Sequence, residues 1–389
     1  MKKNNAKSRF FTIMGLVLAL AVVVGGMIVF TIYETKLKPA DFTFTTPASG
    51  DGSGYYRHCY DELNENEKQI YSVILENIYN MPEKIEVPEL TDGDLNKIYT
   101  AISHDNPDLF SLDVNCTMYK SGYKTFFEPT YTMTLEEYTN AKKEVDSIVT
   151  AILNKTLEFT SVYEKELYVH DYIVTHCSYT EPTQNSKCNT VYGCLVEGKA
   201  SCEGYSRAFQ YIMNYLNIDN RLITGESSED GTTYIGHMWN YLVIDSQGYF
   251  VDITWDDPKG ENSVLTHDYF NVTTNDILIK HRNISQTVPL CTSTKYNYFV
   301  YENALFNVGS GEQFETAFDN VVHAVMQRDY KCIELRFTDT AILEQAKNSL
   351  FNEGVVYNTF NDAGLLENKT DSKVYYSTDD KLNTISIYF

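Results

Sequence analysis

The chain has 389 residues, 43% of them hydrophobic, enough to fill more than one core. Its 53 acidic and 31 basic residues leave a formal charge of -22 at pH 7, which excludes the clustered Lys and Arg that bind nucleic acid phosphates. The acidic balance and the 31 tyrosines are ordinary consequences of solubility and aromatic packing and assign no function.

In chain order, Lys2, Lys3, Lys7 and Arg9 precede an uncharged apolar run from about Phe11 to Tyr33. That length predicts a transmembrane helix, with residues 1–35 as cytoplasmic tail and signal anchor, because no small-residue cleavage site follows it. The basic flank holds the N-terminus inside, so a single-pass cell membrane protein with its bulk outside is expected. Residues 36–54, rich in Thr, Pro, Ser and Gly, read as a flexible linker. Residues 55–160 read as mostly helical: Asn64 with Glu67 and Thr134 with Glu137 are cap pairs before periodic apolar residues, and a strand insert lies around 116–131.

A helix over 164–176 leads through a loop at 178–200 into a helix over 203–216, whose apolar stripe is Tyr205, Ala208, Phe209, Ile212, Met213 and Leu216. Strands are predicted at 221–224, 237–244 and 249–255, with a turn at 245–248. Residues 296–389 alternate helix and strand and read as a small α/β domain of unassigned role. Cys177, Cys188 and Cys194, with His170 and His176, lack the Cys-x-x-Cys pairs of structural zinc sites, and no loop of spaced carboxylates offers calcium ligands. No cofactor is expected.

Three short segments carry the chemistry: Ala200-Ser201-Cys202-Glu203-Gly204-Tyr205, His237-Met238-Trp239-Asn240 and Asp252-Ile253-Thr254-Trp255-Asp256-Asp257-Pro258. Cys202 opens a predicted helix, where unpaired amide groups and the helix dipole favour a thiolate. Glu203 opposes that charge, so a cationic partner is required, and His237 is the candidate base. Ser201 and Gly204 are small enough to leave a substrate room. An imidazole base needs an acceptor on its second nitrogen. With Ile244 paired to Tyr249, His237 lies opposite Asp256 while Asp252 lies opposite Tyr241, so the simple register does not select Asp252. A bulge or tightened turn brings Asp252 in, whereas Asp256 and Asp257 before Pro258 read more easily as strand-end or turn residues, which leaves Asp252 narrowly ahead of Asp256.

Together the three segments resemble the signatures of the transglutaminase-like superfamily, in particular its bacterial exported members. The resemblance spans about 164–281, including His170-Asp171 and Asp268-Tyr269-Phe270-Asn271, and extends weakly to Asn106-Pro107-Asp108-Leu109-Phe110. It implies an α+β fold: a papain-like core at 161–290, in which the helix bearing the nucleophile packs on an antiparallel sheet. It also implies Cys202 as nucleophile, His237 as base and Asp252 as orienter.

The implied reaction is acyl transfer from an amide through a thioester, with hydrolysis favoured slightly over cross-linking. The expected partner is a protein or peptide of the envelope or extracellular space. The alternative is a catalytically silent binding or assembly module on the same fold. His170 with Asp171, the two tryptophans Trp239 and Trp255, and Tyr192 and Tyr205 are each read as core residues before any role in the site.

Overall fold

The computed structural model describes residues 3–38, 40, 42, 56–183, 187–257, 265–328, 330–366 and 374–389. Most of the expected linker, residues 43–54, and Pro258 of the third segment lie outside the described residues.

A helix runs Lys3–Ile32, with a π-helical turn Tyr33–Leu37 after it. Among the described residues no helix is long and apolar enough to cross a membrane. This overturns the expected signal anchor, the membrane as a partner, and the extracellular placement that rested on them.

The chain divides into two compact units. The first includes Cys59–Ser103 and Ser111–Leu135. Its helix Glu65–Ile78 starts at the expected cap: Asn64 accepts from the Glu67 amide while the Glu67 carboxylate accepts from the Asn64 amide. Its sheet is three-stranded and antiparallel, with Lys124–Tyr131 between Ile85–Val87 and Leu112–Ser121.

The second unit includes His104–Phe110 and Glu136–Phe389. Helix α1 (Val162–His176) begins with a capping box between Ser161 and Glu164. Helix α2 (Cys202–Tyr215) packs on an antiparallel sheet of β1 (Asp219–Ser227), β2 (Ile235–Ile244), β3 (Gln247–Val251) and β4 (His281–Arg282), in the order β3-β2-β1-β4. This is the α+β core expected from the sequence. The apolar stripe understates α2, because every residue from Gly204 to Asn214 is buried. Its polar members are paired inside: Gln210 donates to the His104 carbonyl at 2.9 Å and Tyr211 to Asp146 at 3.1 Å.

The β2–β3 hairpin departs from the expected register. Asp245 and Ser246 take positive φ (51° and 63°), making a two-residue turn, and Ile244 pairs with Gln247 rather than Tyr249. The pairing stops at Val251 against Asn240, and the chain then curls so that the Asp256 amide donates to the Asp252 carbonyl. The third segment is thus a turn leaving a strand. Asp252 sits just past the strand end, diagonal to His237.

A second sheet holds β5 (Leu305–Phe306), β6 (Cys332–Phe337), β7 (Tyr375–Asp379) and β8 (Thr384–Tyr388), in the order β5-β6-β8-β7. Leu382, in the turn between β7 and β8, packs into one cluster with Ile223, Trp239, Phe250 and Tyr269. The two sheets therefore share buried apolar surface.

Candidate active site

Ser201 precedes the first turn of α2 in an extended conformation, yet its side chain does not cap the helix. Its hydroxyl donates instead to Asn189 Oδ1 at 2.6 Å. The first-turn amide groups therefore have no side-chain cap beside Cys202. Glu203, which opposed a thiolate in sequence, is bound one turn on by Arg207, whose Nε and terminal nitrogen both lie 2.9 Å from Glu203 Oε1. Gly204 leaves room for packing rather than for substrate: a Cβ there would stand 2.1 Å from the carbonyl oxygen of Cys188.

Residues of the segments that bear no chemistry fix the ones that do. The Ser206 hydroxyl donates to the Met238 carbonyl at 3.0 Å, and Asn240 Nδ2 donates to the Ser206 carbonyl at 3.0 Å. This two-way clamp sets α2 on β2 and with it Cys202 against His237. Tyr205 donates to the carboxylate of Asp257, tying the same helix to the turn after β3.

His237 is 8% exposed, with Nε2 at 2.6 Å from Asp252 Oδ2, and Cys202 lies near enough to act on its charge. Burial alone would lower the His237 pKa, but the Asp252 carboxylate outweighs it, helped by Cys202, and raises the value to about 10. Burial would raise Asp252, but His237 and His281 hold it well below the usual carboxylate range. Asp252 Oδ1 also lies 3.3 Å from the Trp255 amide, which donates to it.

Asp256, which the simple register sets opposite His237, belongs to a different network. Its Oδ2 lies 3.1 Å from His170 Nε2, and its Oδ1 accepts from the Tyr269 amide at 2.9 Å. Burial, only partly offset by His170, lifts the Asp256 pKa to about 6. His170 Nδ1 faces Asp171 at 3.0 Å, Asp171 faces His267 Nε2 at 2.9 Å, and His267 Nδ1 faces Glu334 of β6 at 2.6 Å. The His170–Asp171 pair is thus a buried link to the second sheet. His170–Asp171–His267 and His237–Asp252–His281 each bring three metal-ligating groups together. In both, the carboxylate already bridges two imidazoles at hydrogen-bond distance.

Trp239 is fully buried, whereas Trp255 lines a cleft of about 660 Å³ together with His237, Tyr179, Thr254 and Tyr269. Ser377, Thr378, Asp379, Ser386 and Tyr388 of β7 and β8 line the same cleft. The hydroxyls of Thr254 and Tyr269 are buried without a protein partner. Tyr192 lies away from this cleft, its ring 6.1 Å from Phe110. Sequence reasoning missed His281, whose Nε2 lies 2.8 Å from Asp252 Oδ2. It carries no local signal, because a 29-residue excursion of chain separates it from its partner.

Residues 151–252 match the family model of the transglutaminase-like superfamily core. No curated protein matches the chain. Among solved structures, a candidate cysteine protease from Cytophaga hutchinsonii is similar at 11% identity, with a TM-score of 0.25. The match covers 36% of this chain and 61% of that one. A protein described as a TGase is similar at 13% identity and a TM-score of 0.28, covering 51% of this chain and 59% of that one. The chain thus spans less than two thirds of either structure.

Proposed function

We propose that this chain, which carries a transglutaminase-like domain at residues 151–252, is a thiol acyl-transfer enzyme acting on amide bonds of proteins or peptides. The observation that supports it is the buried His237–Asp252 hydrogen bond, with the half-buried Cys202 beside it at the uncapped start of α2. Cys202 Sγ attacks the amide carbonyl carbon while the protonated His237 beside it holds the proton that the leaving amine will need. The tetrahedral intermediate collapses with cleavage of the C–N bond, and His237 gives that proton to the leaving amine. An acceptor then attacks the thioester, giving its proton to His237, and the C–S bond breaks to release Cys202. Water is the favoured acceptor, because the hydroxyl-lined cleft beside His237 admits it. A second amine in its place would give a cross-link by the same steps.

The test is competitive alkylation of the whole chain with iodoacetamide at pH 7, with each modified cysteine mapped by mass spectrometry. Cys202 is expected to react ahead of the buried thiols Cys177, Cys188, Cys194, Cys291 and Cys332. His237→Ala is expected to slow it, since it removes the neighbouring imidazole that activates the thiol. Labelling of Cys202 no faster than the others, and indifferent to His237→Ala, sinks the proposal. Mass spectrometry of candidate proteins incubated with the chain and with Cys202→Ala then separates hydrolysis from cross-linking: new termini mark the first, isopeptide links the second.

A further inference from the structure

The cleft beside His237 is rich in acceptors and poor in cations. Its lining carries the carboxyl groups of Glu229, Asp230, Asp257, Asp268 and Asp379, and its basic side chains are Lys280 and His237, the latter turned to Asp252. Lys280 shows what such a lining holds. Its ammonium, on a side chain 8% exposed, stands 2.6 Å from Asp379 and 3.6 Å from Glu229, and 5.4 Å from the centre of the Trp255 ring. Asp230 and Asp257 accept from neutral donors: Asp230 from the Thr232 and Thr233 amides at 2.7 and 2.8 Å, Asp257 from the Tyr205 hydroxyl.

Carboxylates alone would describe an ordinary solvated face. The second observation is a set of buried oxygens with no protein partner, Thr254 Oγ1, Tyr269 OH and Asp268 Oδ1, on three residues that all line this cleft. Thr254 is 7% exposed and Tyr269 3%, so these hydroxyls belong to the interior and are costly to leave unpaired. All three atoms accept hydrogen bonds. A group with several N–H donors and a positive charge suits both features: an ammonium carries three such donors and a guanidinium five. The cleft, at about 660 Å³, has room for such a side chain besides Lys280.

We propose that this cleft is the subsite for a cationic side chain, lysine or arginine, of the peptide whose amide is attacked. The proposal rests on the acyl-transfer reading for its place in a reaction, though not for the binding itself. The cation is recognised and does not react. An amine that attacks a thioester must be neutral, and carboxylates around it favour its charged form. The lining therefore suits selection of the acyl donor and works against a lysine amine as acceptor at this position, in keeping with water in that role.

The test is peptide binding to the full chain carrying Cys202→Ala, which cannot turn the peptide over. The chain has two tryptophans, Trp255 lining the cleft and the fully buried Trp239, so one indole 15N–1H resonance, assigned with Trp255→Phe, reports the cleft. The probes are acetyl-Ala-Ala-Lys-Ala-Ala-amide and its counterparts with norleucine or Glu at the centre. The lysine peptide is expected to shift the Trp255 resonance saturably and to bind about tenfold tighter than the norleucine peptide, with the Glu peptide weakest. Raising the salt from about 50 to about 500 mM should shrink that preference several-fold. Thr254→Val removes an unpartnered oxygen without breaking a described protein hydrogen bond, and is expected to weaken the lysine peptide about tenfold. Equal affinity for the lysine and norleucine peptides, a preference for Glu, or no shift with any of the three overturns the proposal. So does an affinity for the lysine peptide that Thr254→Val leaves unchanged. Because the measured chain lacks the thiol, the result stands whether Cys202 proves reactive or inert, and an inert Cys202 in the alkylation experiment sinks the acyl-transfer reading alone.

Discussion

At the scale of single residues, the site depends on groups that do no chemistry. Gly204 is held by a close approach: with the Cys188 carbonyl 2.1 Å from where a Cβ would stand, α2 and the loop before it cannot both keep their places around an alanine. Gly204→Ala is expected to destabilise the fold by about 1–3 kcal/mol through overpacking. It should also slow Cys202 alkylation, as the first turn of α2 is pushed aside. Denaturant unfolding with parallel alkylation checks both, and an unchanged midpoint would refute the packing argument. Cys202 and His237 were legible as candidates in sequence because a cysteine opening a helix and a histidine beginning a strand are local patterns. Which of Asp252 and Asp256 stands beside His237 was not. It turned on the positive φ values of Asp245 and Ser246, which shift every pairing in the hairpin and are not dictated by the composition of the turn.

At the scale of elements, helix α1, the 265–272 segment and strand β6 are joined through the run Asp256–His170–Asp171–His267–Glu334. Burial would lower the His267 pKa, but Glu334 and Asp171 raise it to about 10. A histidine whose folded pKa exceeds its unfolded value of about 6.5 contributes stability that is complete below that pH and disappears as pH climbs towards about 10. Thermal unfolding of the chain is therefore expected to fall between pH 6.5 and 10. Glu334→Gln should flatten that fall and cost about 3 kcal/mol near neutrality by leaving a buried charge short of its partner. A wild-type midpoint flat across this window would remove His267 from the balance. None of this network was legible beyond the neighbouring pair His170-Asp171, because its members are joined across separations of 67 to 96 residues. The helices and strands themselves were legible where apolar periodicity is strong: β6 was predicted with its observed ends, Cys332–Phe337, whereas the helix Val355–Asp362 was missed.

For the second unit as a whole, the cleft is composite, with His237 and Trp255 on one side and Ser377, Thr378 and Tyr388 of the last two strands on the other. We expect those strands to meet the substrate chain at a distance from the reacting atoms. Thr378→Trp should lower turnover of a peptide substrate at least tenfold while leaving alkylation of Cys202 by iodoacetamide unchanged, since a small reagent needs little of the cleft. Equal effects on both, or on neither, would exclude this wall from recognition.

The sharing of buried surface between the two sheets also sets the smallest piece that can stand alone. The stretch that matches the family model ends at Asp252, before His267, His281 and the whole of β6 to β8. Cut there, the chain loses the second imidazole on Asp252 and the Leu382 side chain from the cluster beneath Trp239. The inherited segment and the cooperative folding unit are therefore different lengths of polypeptide. The last ninety residues cannot be exchanged as an independent cassette without rebuilding the interior around Trp239.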